Sequence, residues 1–135
     1  YNFYKNLIDK DQFRYLDHDP NQTYLRIDLS KLVVSMDSTL TYETISRGNK
    51  LVVFDFKYKL CQTIRSRKFG WPKKLDKNGF FWTSSENYKD CSKLMDRVIN
   101  IKYESWLKII KGYKELCPYH EGNKVLKKII YKGIN

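Results

Sequence analysis

The stretch LVVSMDSTLTYETISRGNKLVVFDFKYKL, Leu32 to Leu60, decides how the fold is read. Its last part, Leu51 to Leu60, sets Phe54, Phe56 and Tyr58 against Asp55, Lys57 and Lys59, the period of a strand with one wet face. Thr39 to Ile45 is rich in Thr, Tyr and Ile, which suit a pleated surface. Arg47-Gly48-Asn49 supplies a reversal between the two. The pattern predicts an antiparallel hairpin of Thr39 to Ile45 with Leu51 to Leu60. Leu32 to Met36 reads as a further extended piece, closed by a turn at Asp37-Ser38.

Upstream, Leu25, Ile27 and Leu29 alternate with Tyr24, Arg26 and Asp28, which predicts a strand over Thr23 to Leu29. Asp17 to Asn21 is a loop by its Asp, Pro and Asn content, and Phe3, Tyr4, Leu7 and Ile8 have the spacing of a short opening helix. Downstream of Ser84-Ser85 the period changes. Tyr88, Cys91, Met95, Val98, Ile99, Trp106, Ile109, Ile110, Tyr113 and Cys117 fall mostly three or four apart. A single helix over Glu86 to Leu116 would be about 45 Å long, too long for a small core, so a break near Asn100 is expected. Ser84 or Ser85 is the expected N-cap and Pro118 the stop. Lys124 to Tyr131 sets Val125, Leu126, Ile129 and Ile130 against Lys124, Lys127 and Lys128, a short amphipathic helix.

Strands first and helices later predict an α+β fold: an antiparallel sheet over residues 23–83, then two or three C-terminal helices on one face. With 135 residues the chain is a single domain, 1–135, able to bury a core without staples. It does not begin with Met and Tyr1 to Lys10 has no signal-peptide pattern, so it is expected to be excised from a longer chain. No apolar run approaches the roughly 20 residues of a membrane span.

The formal charge is +11 and unevenly spread: residues 1–50 carry seven basic and seven acidic side chains, 51–101 eleven and five, 102–135 eight and three. This is the footprint of a surface that meets phosphate or another anion. The absence of alanine and the 20 lysines against 6 arginines also fit an AT-rich genome that simply supplies lysine to solvated faces. Cys61, Cys91 and Cys117 are too few and too scattered for a disulfide framework, which favours a reducing, intracellular compartment.

The candidate polyanion site is the basic segment Lys57, Lys59, Arg65, Arg67, Lys68, Lys73, Lys74 and Lys77, with Trp71 among the aromatics that interleave it. Lysines and arginines neutralise phosphates, and aromatic faces stack on bases. Phe69, Phe80, Phe81 and Trp82 have a competing role as core residues, and Asn78-Gly79 is a type I′ hairpin signal. Lys77 to Trp82 has a slight resemblance to the basic-Gly-aromatic strand of RNA-recognition sheets, but departs from it at several positions.

Asp55-Phe56-Lys57 resembles the D-x-K half-motif of metal-dependent nucleases, with Asp37 as the second acid such a site needs. Cys117 and His120 have a spacing zinc can use, but Cys61 and Cys91 would have to complete the site from afar. His18 lies in a polar turn, and no nucleophile-histidine pair or Gly-rich phosphate cradle is present. Neither a catalytic residue nor a cofactor is expected. The reading is therefore a non-catalytic binding domain for nucleic acid or another polyanion, acidic lipid headgroups included. Two alternatives stand beside it: a protein-interaction module using the helical face or a sheet edge, and the Asp55/Lys57 nuclease.

Overall fold

The computed structural model describes residues 19–36, 38–56, 69–70, 75–113, 116, 128 and 130–132. In chain order these form α1 (Pro20–Leu29), β1 (Val33–Ser35), α2 (Thr39–Ser46), β2 (Leu51–Phe54), β3 (Trp82–Thr83), α3 (Tyr88–Asn100) and α4 (Tyr103–Lys111). The strands lie in the order β1-β2-β3, and both pairings are parallel, with Val33 opposite Leu51 and Phe54 opposite Thr83. The expected antiparallel sheet is thus overturned, although helices and strands do mix as foreseen.

The reason lies in Thr39 to Ile45, which is helix α2 and not a strand. Ser38 caps it, its hydroxyl accepting from the Leu40 amide at 3.2 Å. The hydroxyls that suggested a pleated surface are satisfied inside the helix, Thr44 donating to the Leu40 carbonyl at 2.7 Å and Ser46 to that of Glu43 at 2.8 Å. Thr41, Thr44 and Ile45 share the buried face. A parallel pair needs a crossover of a dozen residues or more, and α2 is the crossover between β1 and β2.

Thr23 to Leu29 is likewise helical, within α1. The Gln22 and Thr23 amides and the Thr23 hydroxyl all bond to the Asp19 carbonyl, and Pro20 occupies the first helical position, where a missing N–H costs nothing. The apparent alternation was fortuitous: Ile27 is 6% exposed, but Leu25 and Leu29 are 58% and 77% exposed.

The C-terminal helices divide as expected, with the break at Asn100 to Lys102, but α4 ends at Lys111 with Gly112 as its C-cap, short of the expected stop at Pro118, which lies outside the described residues. The N-cap of α3 is Asn87, whose side chain accepts from the Lys89 amide at 2.8 Å, in place of Ser84 or Ser85. Lys50 holds the other end of α3, donating to the carbonyls of Ile99 at 2.7 Å and Ile101 at 2.6 Å, a cation at a helix C-terminus. Around β2 the core gathers Ile45, Leu51, Val52, Val53, Phe69, Phe81, Trp82, Leu94, Val98, Trp106 and Ile110. Asn78-Gly79 is not a two-residue hairpin turn. Asn78 bridges Thr83, and the Gly79 amide donates to the Trp82 carbonyl at 2.9 Å. The expected opening helix over residues 1–16, the part of the expected Leu51 to Leu60 strand beyond Phe56 and most of the expected Lys124 to Tyr131 helix lie outside the described residues, although Lys128 and 130–132 are helical and exposed. No helix among the described residues is long and apolar enough to cross a membrane.

A polar clasp holds α1 to α2. The Arg47 guanidinium donates twice to the Asp28 carboxylate, once from Nε at 2.9 Å, and Asn49 adds a third bond at 2.8 Å. Arg47 also lies over the Tyr24 ring, 5.2 Å from its centre, while Tyr24 donates to Glu43 at 2.6 Å. The hydrogen bond from Arg47 holds the Asp28 carboxyl below its ordinary range. A depressed folded-state pKa stabilises fully above the unfolded value, about 3.9, and the gain is lost as pH falls through the folded value. The side chains are 25% and 40% exposed, so the pair is worth the about 0.2–1 kcal/mol of a surface ion pair. The stability gap between the parent and Arg47→Met is therefore expected to stay constant from pH 8 to about pH 5 and to close below about pH 4. Urea titrations across that range check it, and a gap that widened in acid would contradict it.

Candidate functional site

Because all three strands run the same way, their carboxyl ends meet at one edge of the sheet. In open parallel α/β sheets the crevice outside this edge is where ligands bind. The chain leaves β1 at Ser35 and turns through Ser38 into α2; it leaves β2 at Asp55 and β3 at Ser84-Ser85. Both flanking helices start here. α2 begins directly after β1, and α3 ends against Lys50 at the far side of β2, so its N-terminus also lies at the carboxyl edge. Each contributes the partial positive charge of a helix N-terminus, although Ser38 already takes the Leu40 amide and Asn87 the Lys89 amide.

The two helix starts differ. At α3 the chain has supplied its own acid: Ser85 donates to Asp90 at 2.6 Å, and Asn87 takes the Lys89 amide. The first turn of α2 carries no acidic residue, and Ser38 and Thr39 are exposed. Ser35 and Thr41 share a hydrogen bond at 2.5 Å just below, fixing the β1–α2 connection. Asp55, at the end of the central strand, is 6% exposed and is engaged within the fold, its amide donating to the Thr83 carbonyl at 2.8 Å. Thr83 donates to the Asn78 side chain at 2.7 Å and accepts from the Ser85 amide at 3.0 Å. The edge therefore carries hydroxyls and one carboxyl group at and just beyond the ends of adjoining strands, with the start of α2 on one side. Such an edge can hold a phosphate and sugar-like hydroxyls.

A model of the protein family described as "putative O-antigen biosynthesis protein" matches residues 1–134. The chain belongs to that family. No curated protein and no solved structure matches this family member.

Of the basic segment singled out in the sequence, Lys57, Lys59, Arg65, Arg67, Lys68, Lys73, Lys74 and Trp71 lie outside the described residues; Lys77 is exposed, and its carbonyl accepts from the Ser84 amide at 3.0 Å. For the nuclease alternative, Asp55 is at this edge, whereas Asp37 and Lys57 lie outside the described residues. So do Cys61, Cys117, His18 and His120, and among the described residues no three metal-ligating side chains gather. Cys91 is half-buried and its thiol bonds to the Ser85 carbonyl at 3.4 Å; burial, with the charge of Asp90, pushes its pKa up and away from the thiolate. Phe69, Phe81 and Trp82 are core residues. Ser35, Ser38, Thr83 and Ser84 escaped the sequence reading as site residues. The signal was small hydroxyl residues directly after apolar runs, which points to a site only once the strands are known to be parallel.

Proposed function

We propose that this chain serves O-antigen biosynthesis by binding a phosphate-bearing precursor at the carboxyl edge of its sheet, with the phosphate at the start of α2. One observation carries the reading: the parallel topology brings Ser35, Ser38, Asp55 and Ser84 to a single edge beside a helix start whose first turn has no acid of its own. The family match supplies the biological setting. O-antigens are built of sugars, and sugars are activated as phosphate esters. The net charge of +11 favours the approach of such anions, which retains polyanion binding in a narrower form than nucleic acid.

Backbone amide shifts during titration with inorganic pyrophosphate test the proposal. Changes centred on Ser35 to Thr41, weakening as salt is raised, are expected. Changes confined to Lys124 to Lys132, or none at all, overturn it.

A second reading, contact with another protein, is favoured by Leu25, Leu29, Val34 and Met36, which are 58%, 77%, 48% and 49% exposed on α1, on β1 and just after β1. Sedimentation over a concentration series distinguishes self-association through these residues from a monomer.

A further inference from the structure

Ser84 is buried, and yet its hydroxyl is left without a partner among the described residues. Only 7% of the residue is exposed, and its amide is spoken for by Lys77 and Asn78. Its hydroxyl makes no hydrogen bond among the described residues, although every fully enclosed side-chain polar atom there has a partner. The hydroxyl therefore keeps a small surface open to solvent. A hydroxyl so placed gives up most of its hydration and regains nothing from the protein, a cost that a ligand can repay.

Its position says what kind of ligand. Ser84 follows the last residue of β3, and Asp55 follows the last residue of β2; the paired strands set them about 5 Å apart along the edge. Asp55 has two acceptor oxygens, so besides its present engagement it can accept from a ligand hydroxyl, while Ser84 can donate or accept. A carboxyl group beside a hydroxyl suits an alcohol and disfavours a phosphate at that point. The α2 start, whose first turn carries no acid although Asp37 directly precedes its Ser38 cap in the chain, offers an anion a helix N-terminus instead and lies one strand further along.

Resting on the phosphate site proposed above, we infer that Ser84 and Asp55 form a sugar-hydroxyl subsite, so that the ligand class is a glycosyl phosphate whose phosphate meets α2 and whose sugar meets β2 and β3. Ser84 is then a specificity residue that touches the ligand.

The test compares the intact chain with Ser84→Ala by calorimetric titration against inorganic phosphate and against the 1-phosphates of glucose, galactose, mannose and N-acetylglucosamine. The parent is expected to bind at least one hexose 1-phosphate about three- to tenfold more tightly than phosphate, and Ser84→Ala to lose that preference with phosphate affinity unchanged. Because the hydroxyl has no partner to lose, the melting temperature of the variant should match the parent's, which separates lost contact from lost fold. If phosphate binds but no hexose 1-phosphate binds better, or if Ser84→Ala keeps the preference, the sugar subsite is overturned and the phosphate site stands. If the parent binds neither phosphate nor any hexose 1-phosphate, both fall.

Discussion

Trp106→Ala is expected to lower stability by about 3–5 kcal/mol, the usual cost of emptying a buried indole site. Trp106 is 0% exposed and meets Phe81 edge-on, with ring centres 5.4 Å apart. Its Nε1 donates to the Gly48 carbonyl at 3.0 Å, tying α4 to the end of α2, where Gly48 adopts a φ of +89° that ends the helix. Removal of the side chain leaves both a cavity against Phe81 and a carbonyl with its partner gone. Trp106→Phe separates the two losses: it keeps an aromatic body and gives up the hydrogen bond, at about 1–3 kcal/mol. Urea unfolding of the two variants measures both, with the m-value unchanged if the native state stays compact. A Trp106→Ala variant within about 1 kcal/mol of the parent would contradict the packing described for α4.

Elements with an apolar stripe at helical spacing were legible from sequence. In α3 and α4, Leu94 and Val98, then Trp106 and Ile110, recur four residues apart, and all four are buried. In α1 and α2 local preference pointed the wrong way. Thr39, Thr41, Thr44 and Ile45 have strand propensity, but the cap at Ser38 and the burial of Thr41, Thr44 and Ile45 on one helix face favour the helix, with the Thr44 hydroxyl satisfied by the Leu40 carbonyl. Leu51-Val52-Val53-Phe54 held the corrective clue: a run of continuous apolar residues marks a strand covered on both faces, as parallel strands are. The alternation from Phe54 to Lys59 drew the reading towards a one-sided strand. The site was hidden for the same reason. Ser35, Asp55 and Ser84 are separated by 20 and 29 positions in the chain, and only strand direction makes them neighbours. Charge, by contrast, was visible at once, but it located a segment and not a geometry.

The other large effect is expected at Gly79. A Cβ built there would lie 2.1 to 2.3 Å from three ring carbons of Trp82, so Gly79→Ala forces one of the two residues to move. Trp82 has little room. It is 5% exposed, its Nε1 donates to the Asp76 carbonyl at 2.9 Å, and its ring is packed against Phe81 at 5.1 Å and against Phe69 and Tyr113 at 5.5 Å. Overpacking of this kind costs about 1–3 kcal/mol, and the upper end is expected because the neighbour is a pinned aromatic ring. The strain would not stay local. Trp82 belongs to β3, which is joined to β2 through the Val53 amide to Phe81 and the Asp55 amide to Thr83, each at 2.8 Å. A displaced Trp82 therefore shifts Ser84 against Asp55, and Gly79→Ala should weaken hexose 1-phosphate binding as well as the fold. Gly112→Ala is the control: its Cβ would come no nearer than 3.8 Å to the Ile109 carbonyl, so a change within about 0.5 kcal/mol is expected. Shortening the ring supplies the decisive arm. If steric conflict is the cause, the Gly79→Ala and Trp82→Leu substitutions together should cost less than the sum of the two alone; strict additivity would show that Gly79 is needed for some reason other than the Trp82 ring.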